Sequence, residues 1–388
     1  MKSPIALMCG RGPARLAALL APGVAALLTA CSTYQPFDTT AYLRDSFAKR
    51  LPPELEGRVA IPFALDEDHR AAVEQLIVRT GIERDRAALI ESFIFSTLRL
   101  RYALTPTRNA DETFDHREGN CLSFVNLFVG IGRHVGMNPF YVEVEDYQRW
   151  NYKDGVVLSR GHIVAGMRID GDLSTFDFLP YRPKAYRSFK PIDDLTATAH
   201  FYNNLGAEAL MEDDVETALP HLEIAHALAP DFEKALNNLG VAYTRLGRPD
   251  EAIALYERGL ALHPASVPLL NNLARIHQER GREEEAELLL ARLDEVNETN
   301  PYFFVYRGEV ALAGGHVEAA LEHMRHALRI DSENPEVHVG LAKVFLARAD
   351  LERARFHIDR ALHLDATHDE ARRYAAMLAA RGVGSGGK

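Results

Sequence analysis

Residues 239–264 read LGVAYTRLGRPDEAIALYERGLALHP: a helical pattern, a turn at Gly247-Arg248-Pro249, and a second helical pattern ending at His263-Pro264. Stepping by 34 residues from Gly240 finds Gly206 before it and Ala274, Gly308 and Ala342 after it. Twelve residues beyond each marker stands an alanine, namely Ala218, Ala252, Ala286, Ala320 and Ala354. Five alanines in one register do not arise by chance. A small residue there lets two helices approach closely, and the bulkier residue four positions on (Leu222, Tyr256, Leu290, Met324, Ile358) fills the groove beside it. Gly247, Gly281 and Gly315 fall at the turn between the paired helices, so each period is one helix hairpin.

This pattern resembles the tetratricopeptide repeat, with Tyr243 and Pro264 at its aromatic and proline positions. The resemblance implies an all-α superhelix: five repeats over residues 199–368 and a capping helix Asp369–Arg381, together residues 199–381. Functionally it implies a concave surface for a protein or peptide partner. Histidines such as His221, His277 and His357 are scattered over the repeats without a carboxylate or cysteine partner set, so neither a metal nor a cofactor is expected.

Upstream, Gly119-Asn120-Cys121 opens an apolar helix expected over Cys121–Val135, with Asn120 as its N-cap. Cys121 then sits in the first turn, where unpaired N–H groups and the helix dipole favour a thiolate. A buried inert cysteine is the alternative reading of the same residue. Helices are also expected near Tyr42–Leu51, Glu67–Arg79 and Arg84–Leu100, no regular element over Tyr102–Arg117, a strand at Phe140–Val144, and a polar loop around Trp150.

Asp170-Gly171 between Gly161–Ile169 and Asp172–Leu179 is a tight-turn signal. A two-residue loop pairs Ile169 with Asp172 and sets Asp177 opposite Val164, diagonal to His162 on one face. A leaning imidazole reaches a carboxylate at that diagonal, which would fix its tautomer. Each residue alone also reads as an ordinary strand residue.

The order of these elements resembles the transglutaminase-like superfamily of papain-like folds. The shared features are a Gly-x-Cys opening a central helix, Gly136-Met137-Asn138-Pro139 closing it, a strand histidine, and an aspartate on the next strand. The resemblance implies an α+β catalytic domain over residues 66–190, with Cys121 as nucleophile, His162 as general base and Asp177 as orienting acid. It further implies acyl transfer through a Cys121 thioester on peptide or amide bonds. Water as acceptor makes the protein a peptidase or amidase, an amine makes it an acyltransferase, and the sequence leaves that choice open. Ile163-Val164-Ala165 and Asp177-Phe178-Leu179-Pro180 depart from the family's aromatic and Asp-Pro positions. A catalytically inactive scaffold whose repeats bind a partner is the other reading.

At the N-terminus Lys2, Arg11 and Arg15 precede the apolar run Leu16–Leu28, too short to span a bilayer but right for an export signal. Leu28-Thr29-Ala30-Cys31 resembles the bacterial lipobox. The resemblance implies a signal peptide over residues 1–30, lipid on Cys31, and a tether over residues 31–65. With Ser32 rather than an aspartate next, it implies the outer membrane, facing the periplasm. Of three cysteines only Cys121 would then remain as a thiol. The 388 residues carry 55 acidic and 44 basic side chains, a net charge of −11, which disfavours nucleic acid as a partner. A mean hydropathy of −0.17 excludes a polytopic membrane protein.

Overall fold

Four-residue spacing of Leu43, Phe47, Leu51 and Leu55 marks one helical face, and it is where the described core begins. The computed structural model describes residues 39–74, 83–153, 156–169, 171–178, 189–366 and 368–381. The chain divides into two units, residues 1–42 and 43–388. The first is described only over Thr39–Tyr42, the opening of helix α1 (Thr39–Arg50), so the leader and Cys31 lie outside the described residues. In the second, Leu43 and Phe47 lie on α1, Leu55 on α2 (Pro53–Glu56) and Leu51 between the two helices, with all four side chains buried. The expected tether of residues 31–65 is therefore corrected from Leu43 onward, because Ile61, Phe63 and Leu65 are buried in the same core. Among the described residues no helix is long and apolar enough to cross a membrane.

Helix α3 (Glu67–Val73) is capped by Asp66, whose side chain accepts from the His69 N–H. Helix α4 (Glu83–Ser92) runs into a π turn, Phe93–Thr97. Residues Tyr102–Arg117, expected to be irregular, contain helix α5 (Ala110–His116), and Asn109 with Glu112 forms its capping box. Two-residue strands β1 (Arg101–Tyr102) and β2 (Glu118–Gly119) pair in parallel and deliver the chain to helix α6 (Cys121–His134). That helix is apolar on nearly every side and buried along most of its length, as suits a central element.

A four-stranded antiparallel sheet in the order β5-β4-β3-β6 packs on α6. It comprises β3 (Phe140–Lys153), β4 (Val156–Ile169), β5 (Asp172–Phe176) and β6 (Phe189–Ile192). Ile169 pairs with Asp172 and Ala165 with Phe176, the register the Asp-Gly turn dictates. Trp150 belongs to β3, opposite Ser159, rather than to a loop. Among the described residues β6 pairs β3 over Tyr141–Val144, and beyond that point the described partner of β3 is β4, as in a ribbon. A ribbon outside the sheet needs no apolar alternation, so its polar sequence reads as a loop.

Five helix hairpins follow: α7 (Asp194–Met211) with α8 (Val215–Leu228), α9 (Glu233–Arg245) with α10 (Pro249–Leu262), α11 (Val267–Glu279) with α12 (Glu283–Asn297), α13 (Pro301–Ala313) with α14 (Val317–Ile330), and α15 (Pro335–Ala347) with α16 (Leu351–Leu364). Helix α17 (Asp369–Ala380) closes the stack. The register alanines are buried in all five pairs. Gly206 shows why the marker is small, since a Cβ there would stand 2.5 Å from Leu222 Cγ. The turn residues Asp213, Gly247, Gly281, Gly315 and Ala349 all have positive φ, at one residue per period.

The expected boundary at residue 199 does not separate two cores. Leu195, Phe201, Tyr202, Ile224, Leu228 and Ala235 share a continuous hydrophobic cluster with α1, α4 and α6. Polar contacts cross the same seam: Arg133 binds Asp194 through two bonds of 2.8 and 2.9 Å, and the Tyr202 hydroxyl accepts from the Ala60 N–H at 2.8 Å. The last two repeats keep a separate cluster running from Phe304 to Leu378.

Candidate functional site

Asn120 has an extended backbone, and its Oδ1 accepts from the Ser123 N–H at 3.0 Å, satisfying one of the orphan donors of the first turn of α6. Cys121, the first residue of that helix, is a free thiol and only partly buried. His162 stands on β4, 1% exposed, and its Nε2 lies 2.8 Å from Asp177 Oδ1. Asp177 follows the last residue of β5, so the carboxylate leans back from the strand end to the histidine. His162 is also hydrogen-bonded to Cys121.

The structure thus brings Cys121, His162 and Asp177 into one connected line, from three separate elements. Burial opposes a charge on His162. The hydrogen bonds to Asp177 and Cys121, and the negative charge of both groups, outweigh it and raise the pKa to about 9. The backbone N–H groups at the start of α6 lie beside the thiol, where an oxyanion would form.

Two arrangements around the site went unread in the sequence. Thr107 and Asn120 join a buried hydrogen-bond chain that ends on Glu208 of α7. Separately, Asp66, His69 and Asp111 offer ligand atoms within 4.8 Å of one another. His69 Nδ1 lies 2.7 Å from Asp111, and Nε2 lies 3.0 Å from Asp115. Burial disfavours a charge on this ring too, but the carboxylates on both nitrogens raise its pKa. Those contacts tie α3 to the helix that follows Asn109. The Asn109 capping box was the one signal in the sequence for that helix.

A cleft of about 1150 Å³ runs along the β3–β6 edge and the ends of the first three repeats. Glu143, Lys190, Phe232, Lys234, His263 and Tyr302 are among its lining residues, an amphipathic mix suited to an extended peptide. Val144 lines it as well, and Val144 is the β3 partner of His162.

Residues 204–267 match one model of the tetratricopeptide repeat, and residues 244–304 and 311–380 match another. The C-terminal region is a superhelix of tetratricopeptide repeats. Among solved structures, the chain is similar to a thermophilic tetratricopeptide-repeat protein of Thermus thermophilus at 22% identity. That match covers 47% of this chain and 99% of that one, with a TM-score of 0.30. It is similar to pilF of Pseudomonas aeruginosa at 22% identity over 47% of this chain and 89% of that chain, TM-score 0.28. It is also similar to YrrB, described as a protein of this repeat class with an unusual peptide-binding site, at 19% identity over 46% and 92%, TM-score 0.25. No curated protein matches the chain. Repeats of this class commonly bind protein or peptide partners.

Proposed function

We propose that the protein is a repeat scaffold for a protein or peptide partner and that its α+β part is a transglutaminase-like thiol enzyme acting on peptide or amide bonds. The observation that carries the enzymatic half is the single imidazole of His162 bonded to both Cys121 and Asp177. In the reaction the Cys121 thiolate attacks the carbonyl carbon, and the oxyanion is held by backbone N–H groups at the start of α6. His162 gives its proton to the leaving amine, and a Cys121 thioester remains. His162 then takes a proton from the second nucleophile as it attacks, and the acyl group leaves the sulfur. Asp177 keeps the imidazole oriented throughout. Water as that nucleophile makes the enzyme a peptidase or amidase, and hydrolysis is the reading we adopt. An amine would make it a transferase.

A catalytically inactive scaffold is the second reading, and one finding favours it: the family models match the repeats, within residues 204–380. The two part on one experiment. An electrophilic peptide probe applied to the full chain should form a thioether on Cys121, and neither His162→Ala nor denatured protein should react at that rate. Equal labelling of native and denatured chains would leave the scaffold reading alone. The anchoring part rests on Leu28 to Cys31, which supports a lipidated N-terminus at the outer membrane facing the periplasm. Intact mass of the membrane fraction checks it, and a mature chain starting elsewhere contradicts it.

A further inference from the structure

Glu208 lies on α7, in the first repeat, at neither a hairpin turn nor a register position. Its carboxylate is nevertheless tied to a residue outside the repeats. The Thr107 N–H donates to both oxygens at 2.9 and 3.0 Å, and the Thr107 hydroxyl donates to Oε1 at 2.7 Å. The same hydroxyl accepts from Asn120 Nδ2 at 2.6 Å. Asn120 Oδ1, at the other end of that amide, accepts from the Ser123 N–H at 3.0 Å and the Ser123 hydroxyl at 3.1 Å. Ser123 Oγ in turn accepts from the Arg108 N–H at 2.8 Å, which returns the chain to the loop it left. Thr107, Asn120 and Ser123 are all buried.

The direction of these bonds is set at both ends, by the carboxylate of Glu208 and by the backbone N–H of Ser123. A carboxylate only accepts, so the threonine hydroxyl must spend its hydrogen on Glu208 and offer a lone pair to Asn120. Only the NH2 side of an amide can answer that lone pair. Asn120 therefore turns its oxygen toward the helix, where it caps the turn that starts with Cys121. Asn120 Nδ2 also donates to the Leu104 carbonyl at 3.4 Å, a longer bond than the one to Thr107, so loss of the chain weakens the preference for this orientation; in the flipped one an NH2 faces the helix N–H groups. Loss of the cap loosens the turn whose dipole supports a thiolate at its first residue.

We propose that Glu208, reaching from the first repeat through Thr107, is a positioning residue for Cys121, so that the repeat stack is built into the thiol site rather than appended to it. This rests on the thiol reading above and deepens it. On balance burial raises the pKa of Glu208, and the two Thr107 bonds oppose that rise only in part.

The test uses the full chain and follows iodoacetamide alkylation of Cys121 against pH by peptide mass spectrometry. Thr107→Val keeps the shape of the side chain and removes the relay, Glu208→Ala removes its end, and Thr107→Ser keeps it. Thr107→Val and Glu208→Ala should slow alkylation near pH ~6 by about fivefold, the size of a typical N-cap effect, and move the profile to higher pH. Thr107→Ser should restore the wild-type profile. If both disruptive variants lower the thermal midpoint yet leave the profile unmoved, the chain is only a structural bolt and the proposal is overturned. If the wild-type thiol itself titrates near its ordinary value of about 8.5, the thiol reading fails first and takes this proposal with it.

Discussion

The first repeat and the last two share one sequence pattern and live in different surroundings. Gly206 and Leu222 in the first are matched by Gly308 and Met324 in the fourth, as are the register alanines Ala218 and Ala320. Yet α7 is buried in the core of the α+β part and supplies Asp194, Tyr202 and Glu208 to it, whereas the fourth and fifth repeats close on their own cluster. Consensus positions specify how a hairpin folds and stacks. The positions between them decide what it stacks on. A repeat stack is usually a chain of nearest-neighbour terms, and here the first neighbour is the sheet-and-helix part carrying Cys121.

Truncation should expose this difference most strongly. A chain ending before residue 194 loses the buried side chains of the first repeat and deprives Arg133 of its carboxylate partner Asp194, so it should fail to give a cooperative unfolding transition. A chain ending at residue 298 should keep one, with Cys121 still reactive. Cooperative folding of the shorter chain would show that the first repeat is only docked.

A smaller effect compares the two marker glycines. A Cβ at Gly206 would meet the branched Cγ of Leu222 at 2.5 Å, while one at Gly308 would meet the flexible end of Met324 at 2.8 Å. Gly206→Ala should cost about 1–3 kcal/mol by overpacking, and Gly308→Ala should stay within about 1 kcal/mol of wild type in urea unfolding. The least effect is expected at the turns, where Ala349 has a φ of 56° in the place that three repeats give to glycine. Ala349→Gly should stabilise the distal repeats by about 0.5–1 kcal/mol, and a loss instead would mean the turn carries no strain.

Much of this was legible in the sequence. A 34-residue period needs no tertiary knowledge, and the Asp170-Gly171 turn set a register that the β4–β5 pairing follows. Asn120 was legible as a cap because its chemistry is local. Helix α5 was missed because seven residues are too few to show apolar periodicity, although its capping box was there to be read. Helix α1 was expected from the sequence, but the four-residue spacing of Leu43, Phe47, Leu51 and Leu55 was not read as a core face, because proline and charge surround it. Glu208 could not be found. It is one acid among many on a repeat helix, and its role depends on Thr107, which lies 101 residues away.

The central claim is that Cys121 is held as a thiolate by His162. With the imidazole pKa raised to about 9, the ring is mostly charged through neutrality, which is the condition for an ion pair with a thiolate at Cys121. The direct measurement is the rate of iodoacetamide alkylation at Cys121 from pH ~5 to ~9 in wild type and His162→Ala. The account predicts fast alkylation down to about pH 6 in wild type and a profile centred near about 8.5 in the variant. Superimposable profiles for the two proteins would contradict it.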